Sequence, residues 1–169
     1  DEARAEARRT LAALAPWVQR GVAVVGLEPS CLLTMRDEFL VLGRGDAAEA
    51  LASRAMLFEE FLAREHAAGR LKLALRALPQ ARALLHGHCH QKAFDAVAPI
   101  RTVLGLIPSL KVETIESSCC GMAGAFGYEA EHYEISLRMG EDRLFPAVRA
   151  ADPLTVVVAP GGSCRQQIR

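Results

Sequence analysis

The length, composition and charge of this chain are those of an ordinary globular protein. Its 169 residues are enough to bury roughly 70% of the unfolded surface without disulfide bonds. Twenty basic residues balance twenty acidic ones, so no positive field indicates nucleic acid and no polybasic stretch indicates a membrane surface. No apolar run suits a transmembrane span and no leader resembles a signal peptide, which predicts a cytoplasmic, reducing setting. Five cysteines there are typical of ligands or catalytic groups rather than disulfides.

Helix-forming residues dominate the first part of the chain. Residues 1–14 are rich in Ala, Arg, Glu and Leu and predict a helix that Pro16 ends. The apolar run 22–27 predicts a strand buried on both faces. Residues 46–68 predict a further helix. Residues 71–75 suit a short edge strand, but the periodicity of this segment is too weak to establish one.

The rest of the chain alternates strands with helices. Strands are predicted at 83–86, 112–115 and 155–159, and helices at 91–104 and at 129–148, the latter with a break near Gly140 or Pro146. This alternation predicts an α/β fold, with a mostly parallel sheet of about four or five strands and helices on both faces.

The cysteines all fall where a predicted strand gives way to a helix. They are Cys31, Cys89, the adjacent pair Cys119 and Cys120, and Cys164. The carboxyl edge of an open α/β sheet is where such folds hold ligands, and a helix N-terminus there lowers the pKa of a thiol. Adjacent cysteines rarely suit a mutual disulfide. Sulfur ligands from three separate loops predict an iron–sulfur cluster, with zinc as the alternative metal.

Glycines accompany the cysteines. We expect Gly121, Gly124 and Gly162 to contact the cofactor, because a residue without a side chain lets backbone amides approach the sulfur atoms closely. Replacing such a glycine would push those amides away.

Other interpretations of the same residues remain open. Cys31 taken alone suits a small buried apolar residue. The histidines His86, His88 and His90 more often satisfy backbone groups or shape a site than bind a metal, and His90 is an additional ligand candidate together with Cys31.

Alternative site chemistries explain fewer of the cysteines. A thiol enzyme built on His88, Cys89 and His90 leaves the other cysteines unused. A phosphate site at 160–163 lacks the lysine and spacing of a P-loop. A structural or docking module with a four-cysteine zinc site is the main rival, although zinc sites usually contain Cys-x-x-Cys knuckles, which are absent here.

These motifs resemble the cysteine-rich CCG domain of heterodisulfide reductase and of the iron–sulfur parts of glycolate, lactate and glycerol-3-phosphate oxidoreductases. The family pattern is a lone cysteine, a Cys-Cys-Gly and a last cysteine, which Cys89, Cys119-Cys120-Gly121 and Cys164 match. Cys31 in Glu28-Pro29-Ser30-Cys31 is similar to the closing cysteine of a preceding unit. The sequence departs from the pattern at Gln167, where the fuller family pattern has another cysteine of a five-cysteine, non-cubane cluster.

A narrower resemblance is to the C-terminal region of fused FAD and iron–sulfur dehydrogenases that oxidise D-2-hydroxy acids such as D-lactate or D-2-hydroxyglutarate. It rests on residues 28–31 with 36–38, on 88–93, and on 119–124 with 126–128. The resemblance implies that Cys89, Cys119, Cys120 and Cys164 bind one cluster of the four-iron type.

The same resemblance implies a division of labour within a larger protein. FAD is expected in another domain of the same polypeptide or complex, and this chain is expected to pass electrons from that flavin domain to an acceptor whose identity stays open. Acting alone, the chain is not expected to oxidise substrate.

The resemblance also implies a domain layout. Residues 1–43 are expected to be the tail of a preceding CCG half-unit, and residues 44–169 a complete unit packed with it as one globular domain. The whole is expected to be a fragment of a larger protein. We expect it in the cytoplasm, with attachment to the inner membrane through a partner as an alternative.

Overall fold

The computed structural model describes residues 1–43 and 45–169. These residues divide into two compact units, Asp1–Phe61 and Leu62–Arg169. The boundary expected between residues 43 and 44 separates the CCG half-unit from the complete CCG unit that the sequence predicts, and residue 44 lies outside the described residues. That boundary therefore stays a prediction. Among the described residues, no helix combines the length and apolar character needed to cross a bilayer.

The first unit contains a two-stranded parallel sheet and several helices. Its elements are α1 (Glu2–Gln19), β1 (Val24–Gly26), α2 (Pro29–Arg36), α3 (Glu38–Leu42), α4 (Asp46–Arg54), β2 (Ala55–Leu57) and α5 (Phe58–Ala67), which contains the division point. Val24 of β1 lies opposite Ala55 of β2. Apolar side chains of α1 and α4 form the core, with Leu11, Ala48 and Leu51 buried.

The second unit is built on a three-stranded parallel sheet. Its elements are β3 (Arg82–Leu85), α6 (Cys89–Ala93), α7 (Ala98–Leu104), β4 (Lys111–Thr114), the 3₁₀ turns Phe126–Tyr128 and Ala130–His132, α8 (Tyr133–Asp142), α9 (Leu144–Arg149), β5 (Thr155–Val158) and α10 (Gly162–Ile168). The strand order is β4-β3-β5. Ala83 of the central strand β3 lies between Val112 and Val156.

The α/β class and the parallel strands are confirmed. The five strands in the described part of the chain are divided between two sheets. β2 was missed because Ala55, Met56 and Leu57 favour helices locally. Pairing with β1 and the burial of Ala55 and Leu57 override that preference. The helix predicted at 46–68 is therefore interrupted.

Several predicted boundaries differ from the observed ones. Pro16 lies inside α1, which continues to Gln19 and buries Val18. The helix predicted at 91–104 is two short helices, because Asp95 after α6 has a left-handed φ of 53°. The helix predicted at 129–148 starts with a 3₁₀ turn and breaks at Arg143, between α8 and α9.

Two strand predictions need correction in detail. No strand forms at 71–75. The run that contains β1 is not buried on both faces, since Val25 is 38% exposed. In a two-stranded sheet every strand is an edge strand, so one side of β1 stays accessible.

Candidate metal centre

Four of the five cysteines lie at one edge of the three-stranded sheet. Cys89 begins α6 after β3, Cys119 and Cys120 lie in the loop after β4, and Cys164 lies in α10 after β5. The three strands are parallel, so their carboxyl ends meet at the same edge. The predicted placement of these four cysteines is confirmed, and we refer to them as the four-cysteine group.

The thiols of the four-cysteine group affect one another's pKa in series. Cys89 interacts with Cys119, Cys119 with Cys120, and Cys120 with Cys164. None of them forms a disulfide. Cys120 and Cys164 are each 2% exposed and belong to the core of the second unit, whereas Cys89 is exposed. The series therefore runs from the core to the surface.

The buried end of the series includes a histidine. His86 follows β3 directly, and one of its ring nitrogens lies within 4.8 Å of the sulfur atoms of Cys120 and Cys164, which lie equally close to each other. Nδ1 of His86 is 2.8 Å from Oγ of Ser117, while the buried Nε2 has no hydrogen-bond partner among the described residues. A buried, unpartnered nitrogen beside two sulfur atoms suits a soft or borderline metal ion.

The thiols differ in acidity along the series. The hydrogen bond from Cys120 holds the pKa of Cys119 far below its ordinary value, with Cys89 adding to the effect. Hydrogen bonding from Cys120, helped by His86 and opposed by burial, lowers the pKa of Cys164 to about 5. The same contacts raise the pKa of Cys120, where Cys119 is the main cause, and the pKa of Cys89.

The direction of the pKa shift therefore alternates along the four-cysteine group. Without a cation, neighbouring sulfur atoms cannot all be ionised, and each proton is shared with an adjacent thiolate. A metal ion or cluster bound here would replace those protons with positive charge. The donor set thus fits an iron–sulfur cluster or zinc.

His88 and Gln91 fix the turn that presents Cys89. His88 caps α6: its Nδ1 accepts a hydrogen bond from the backbone N–H of His90 at 3.2 Å, and its own N–H donates to Oε1 of Gln91 at 3.2 Å. Gln91 is fully buried. His90 is half-buried and is not one of the donors grouped with Cys120 and Cys164. The structure brings His86 rather than His90 to the sulfur atoms.

Gly121 is required by a close approach of two backbone segments. Its φ is +99°, and a Cβ there would lie 2.1 Å from the carbonyl oxygen of Ser136 in α8. Its N–H donates to Sγ of Cys119 at 3.4 Å. Gly124 has a φ of +68°, and a Cβ there would meet nothing within 4 Å, so only its backbone conformation constrains it. Cofactor contact by Gly121, Gly124 and Gly162 stays a prediction.

Gln167 hydrogen-bonds to Ser136 of α8. Its Nε2 donates to Oγ of Ser136 at 2.9 Å and to the carbonyl oxygen of Ser136 at 3.3 Å. Ser136 is buried. The residue that departs from the family pattern therefore joins α10 to α8.

Lys92 is a residue of the site that sequence reasoning missed. Its Nζ donates hydrogen bonds to the carbonyl oxygens of Ser117 and Ser118, the latter at 2.8 Å, immediately before Cys119. Lys92 lies three residues after Cys89, which places both on neighbouring positions of one helical face. The three-residue spacing from the candidate ligand Cys89 is the sequence signal by which Lys92 could have been predicted.

Cys31 lies in the first unit. It is exposed, at the third position of α2 after β1. Nearby, Ser30 Oγ donates to Glu28 at 3.0 Å, and Arg36 pairs with Glu60 at 2.9 Å. A role for Cys31 as an additional ligand stays a prediction.

Comparisons with known proteins identify similar segments in larger dehydrogenases. The chain is 30% identical over 168 residues to D-2-hydroxyglutarate dehydrogenase of Escherichia coli, a match that covers 96% of this chain and 15% of that protein. It is 29% identical over 161 residues to D-2-hydroxyglutarate dehydrogenase of Haemophilus influenzae, which covers 88% of this chain and 15% of that protein.

One subunit of a different dehydrogenase is also similar. The chain is 28% identical over 149 residues to a subunit of the anaerobic glycerol-3-phosphate dehydrogenase of Escherichia coli, a match that covers 88% of this chain and 36% of that subunit. No family model matches the chain, and no solved structure matches it. The chain is therefore similar along nearly all its length to a part of several oxidoreductases, and it spans between 15% and 36% of their length.

Proposed function

We propose that this chain is the iron–sulfur electron-transfer part of a flavin-linked D-2-hydroxyacid dehydrogenase. In this proposal Cys89, Cys119, Cys120 and Cys164 hold one cluster of the four-iron type. The observation that carries it is the placement of four cysteines at the carboxyl edge of one parallel sheet, with Cys120 and Cys164 buried and close to each other. Iron–sulfur clusters are bound by thiolates from such separate segments.

The chain's own residues would hold the group and tune it. A bound cluster would supply one-electron transfer, accepting an electron from one partner and giving it to another. Burial of Cys120 and Cys164 keeps water from the inner sulfur atoms, and the N–H of Gly121 is directed at the sulfur of Cys119. The exposed Cys89 leaves one end near the surface, where electrons can enter or leave.

The similar dehydrogenases support the substrate class and the partner. The D-2-hydroxyglutarate dehydrogenases match 88% to 96% of this chain. Because the chain spans 15% of those proteins, FAD and the oxidation of the hydroxy acid belong, in this proposal, to another domain of the same polypeptide or complex. Residues 1–43 and 44–169 would be a CCG half-unit and a complete unit of that larger protein, in the cytoplasm.

Anaerobic reconstitution with iron and sulfide tests the proposal. The wild-type chain should take up about four iron and four sulfide ions and develop the visible absorption of a cluster. Cys119→Ser and Cys120→Ser should lose both, because a hydroxyl is a poor ligand for soft iron. Cys31→Ser, in the first unit, is the comparison variant: normal loading is expected if the four cysteines suffice, and it would exclude Cys31 as an additional ligand. Unchanged iron content in the first two variants would show that the ligand set is wrong.

A zinc-binding structural or docking module is the second candidate. The compact group of His86, Cys120 and Cys164 favours it, since all three donors are buried and mutually close. The two candidates differ in their ligands. A zinc site centred on His86 would lose zinc in His86→Ala and keep it in Cys89→Ser, whereas the cluster requires Cys89.

A further inference from the structure

The ammonium group of Lys92 joins helix α6, which begins with Cys89, to the loop that carries Cys119 and Cys120. Lys92 belongs to α6, which begins with Cys89. Its Nζ donates to the carbonyl oxygens of Ser117 and Ser118, which directly precede Cys119. The side chain is half-buried. One charged group thus connects the Cys89 segment with the segment of Cys119 and Cys120.

The loop after β4 has little other backbone support. Within residues 116–121, the described structure contains one backbone–backbone hydrogen bond, from the N–H of Ser117 to the carbonyl oxygen of Ile115 at 2.8 Å. Backbone carbonyl oxygens beyond the end of a strand have no partner in the sheet, so they need other hydrogen-bond donors. Hydrogen bonds to a charged donor are stronger than those between neutral groups. Lys92 is therefore well placed to hold this loop.

The same ammonium group puts positive charge beside the sulfur atoms. Burial lowers the pKa of Lys92, and the negative charge of Cys164, Cys89 and Cys119 opposes that shift, in the direction that favours the charged form of the lysine. Coulombic attraction is reciprocal, so the ammonium group favours negative charge on those sulfur atoms.

We propose that Lys92 is a positioning residue of the four-cysteine group: it fixes the loop of Cys119 and Cys120 against α6 and offsets the negative charge of the bound group. The second part rests on the proposed function. A nearby cation stabilises the more negative, one-electron-reduced state of a cluster, so it raises the reduction potential.

Hydrogen exchange on the metal-free chain tests the positioning role. Lys92→Met keeps the length and apolar stem but removes the donors. The loop amides that have acceptors, those of Ser117 and Gly121, should then exchange faster by on the order of tenfold. Lys111→Met is the matched control, since Lys111 is exposed on β4 of the same sheet. Exchange in residues 116–121 that is no faster in Lys92→Met than in Lys111→Met would overturn the positioning role.

Lys92→Arg and the reduction potential test the charge. Arginine keeps the charge with a different geometry, so Lys92→Arg also covers the case in which Lys92→Met does not fold. In the anaerobically loaded chain, Lys92→Met should have a more negative potential than wild type, and Lys92→Arg should stay near wild type. Equal potentials in wild type and Lys92→Met would overturn the charge role. A wild-type chain that takes up no iron would contradict the proposed function, while the hydrogen-exchange result would still decide the positioning role.

Discussion

Replacing Gly121 by alanine should destabilise the second unit far more than the same change at Gly124. Both glycines have positive φ, at +99° and +68°. A left-handed backbone costs an alanine about 1–2 kcal/mol. Only at Gly121 does the new Cβ also meet backbone, 2.1 Å from the carbonyl oxygen of Ser136. Overpacking of this kind adds about 1–3 kcal/mol to the cost, because α8 must shift.

The expected losses of unfolding free energy are therefore about 1–2 kcal/mol for Gly124→Ala and about 2–5 kcal/mol for Gly121→Ala. Urea unfolding of the metal-free chain, followed by pulsed hydrogen exchange in β3 and α8, reads the second unit by itself. If Gly121→Ala is insoluble while Gly124→Ala is soluble, Gly121→Ala has the larger loss of stability, as predicted. Equal losses in the two variants would refute the argument that close approach to α8 requires Gly121.

Three further predictions concern the site. The thiolate of Cys164 should persist in the metal-free chain down to about pH 5. Because the pKa of Cys164 is lowered in the folded state, the stability that its thiolate contributes is fully present above the ordinary thiol pKa and is lost as the pH falls through 5. An ultraviolet titration of thiolate absorbance in wild type that matches that of Cys164→Ser would contradict this. Gln167→Ala should lower stability by about 1 kcal/mol through its lost bonds to Ser136 while iron content stays unchanged; a loss of iron would make Gln167 part of the metal site. In the full-length protein, Cys164→Ser should leave flavin reduction by substrate nearly intact and slow reoxidation by the acceptor, and stopped-flow data with an equal loss in the reductive half-reaction would place this chain in substrate chemistry.

The sequence predicted the sheet edge because local patterns determine it. Short apolar runs mark β3 and β5, alternate β-branched residues mark β4, and each strand is followed within a few residues by a cysteine. Parallel strands separated by helices bring their carboxyl ends together, whichever strand is central. The positions of the four cysteines therefore needed no knowledge of side-chain packing.

Other features depend on contacts that no local pattern contains. β2 forms because Ala55 and Leu57 pair with and pack beside β1. The choice of His86 over His90 depends on where the strand ends: β3 ends at Leu85 and α6 begins at Cys89, so the alternation of side chains along the strand does not extend to His90. The requirement for Gly121 comes from α8, which lies later in the chain.

The central claim is that this chain carries an iron–sulfur cluster on four cysteines. Native mass spectrometry of the chain purified anaerobically from cells, without reconstitution, tests it most directly, because it reports the metal that the protein binds during expression. We predict a mass increase equal to one four-iron, four-sulfide cluster in wild type and in Cys31→Ser, and none in Cys120→Ser. A single zinc ion in wild type, retained in Cys89→Ser and lost in His86→Ala, would contradict the account.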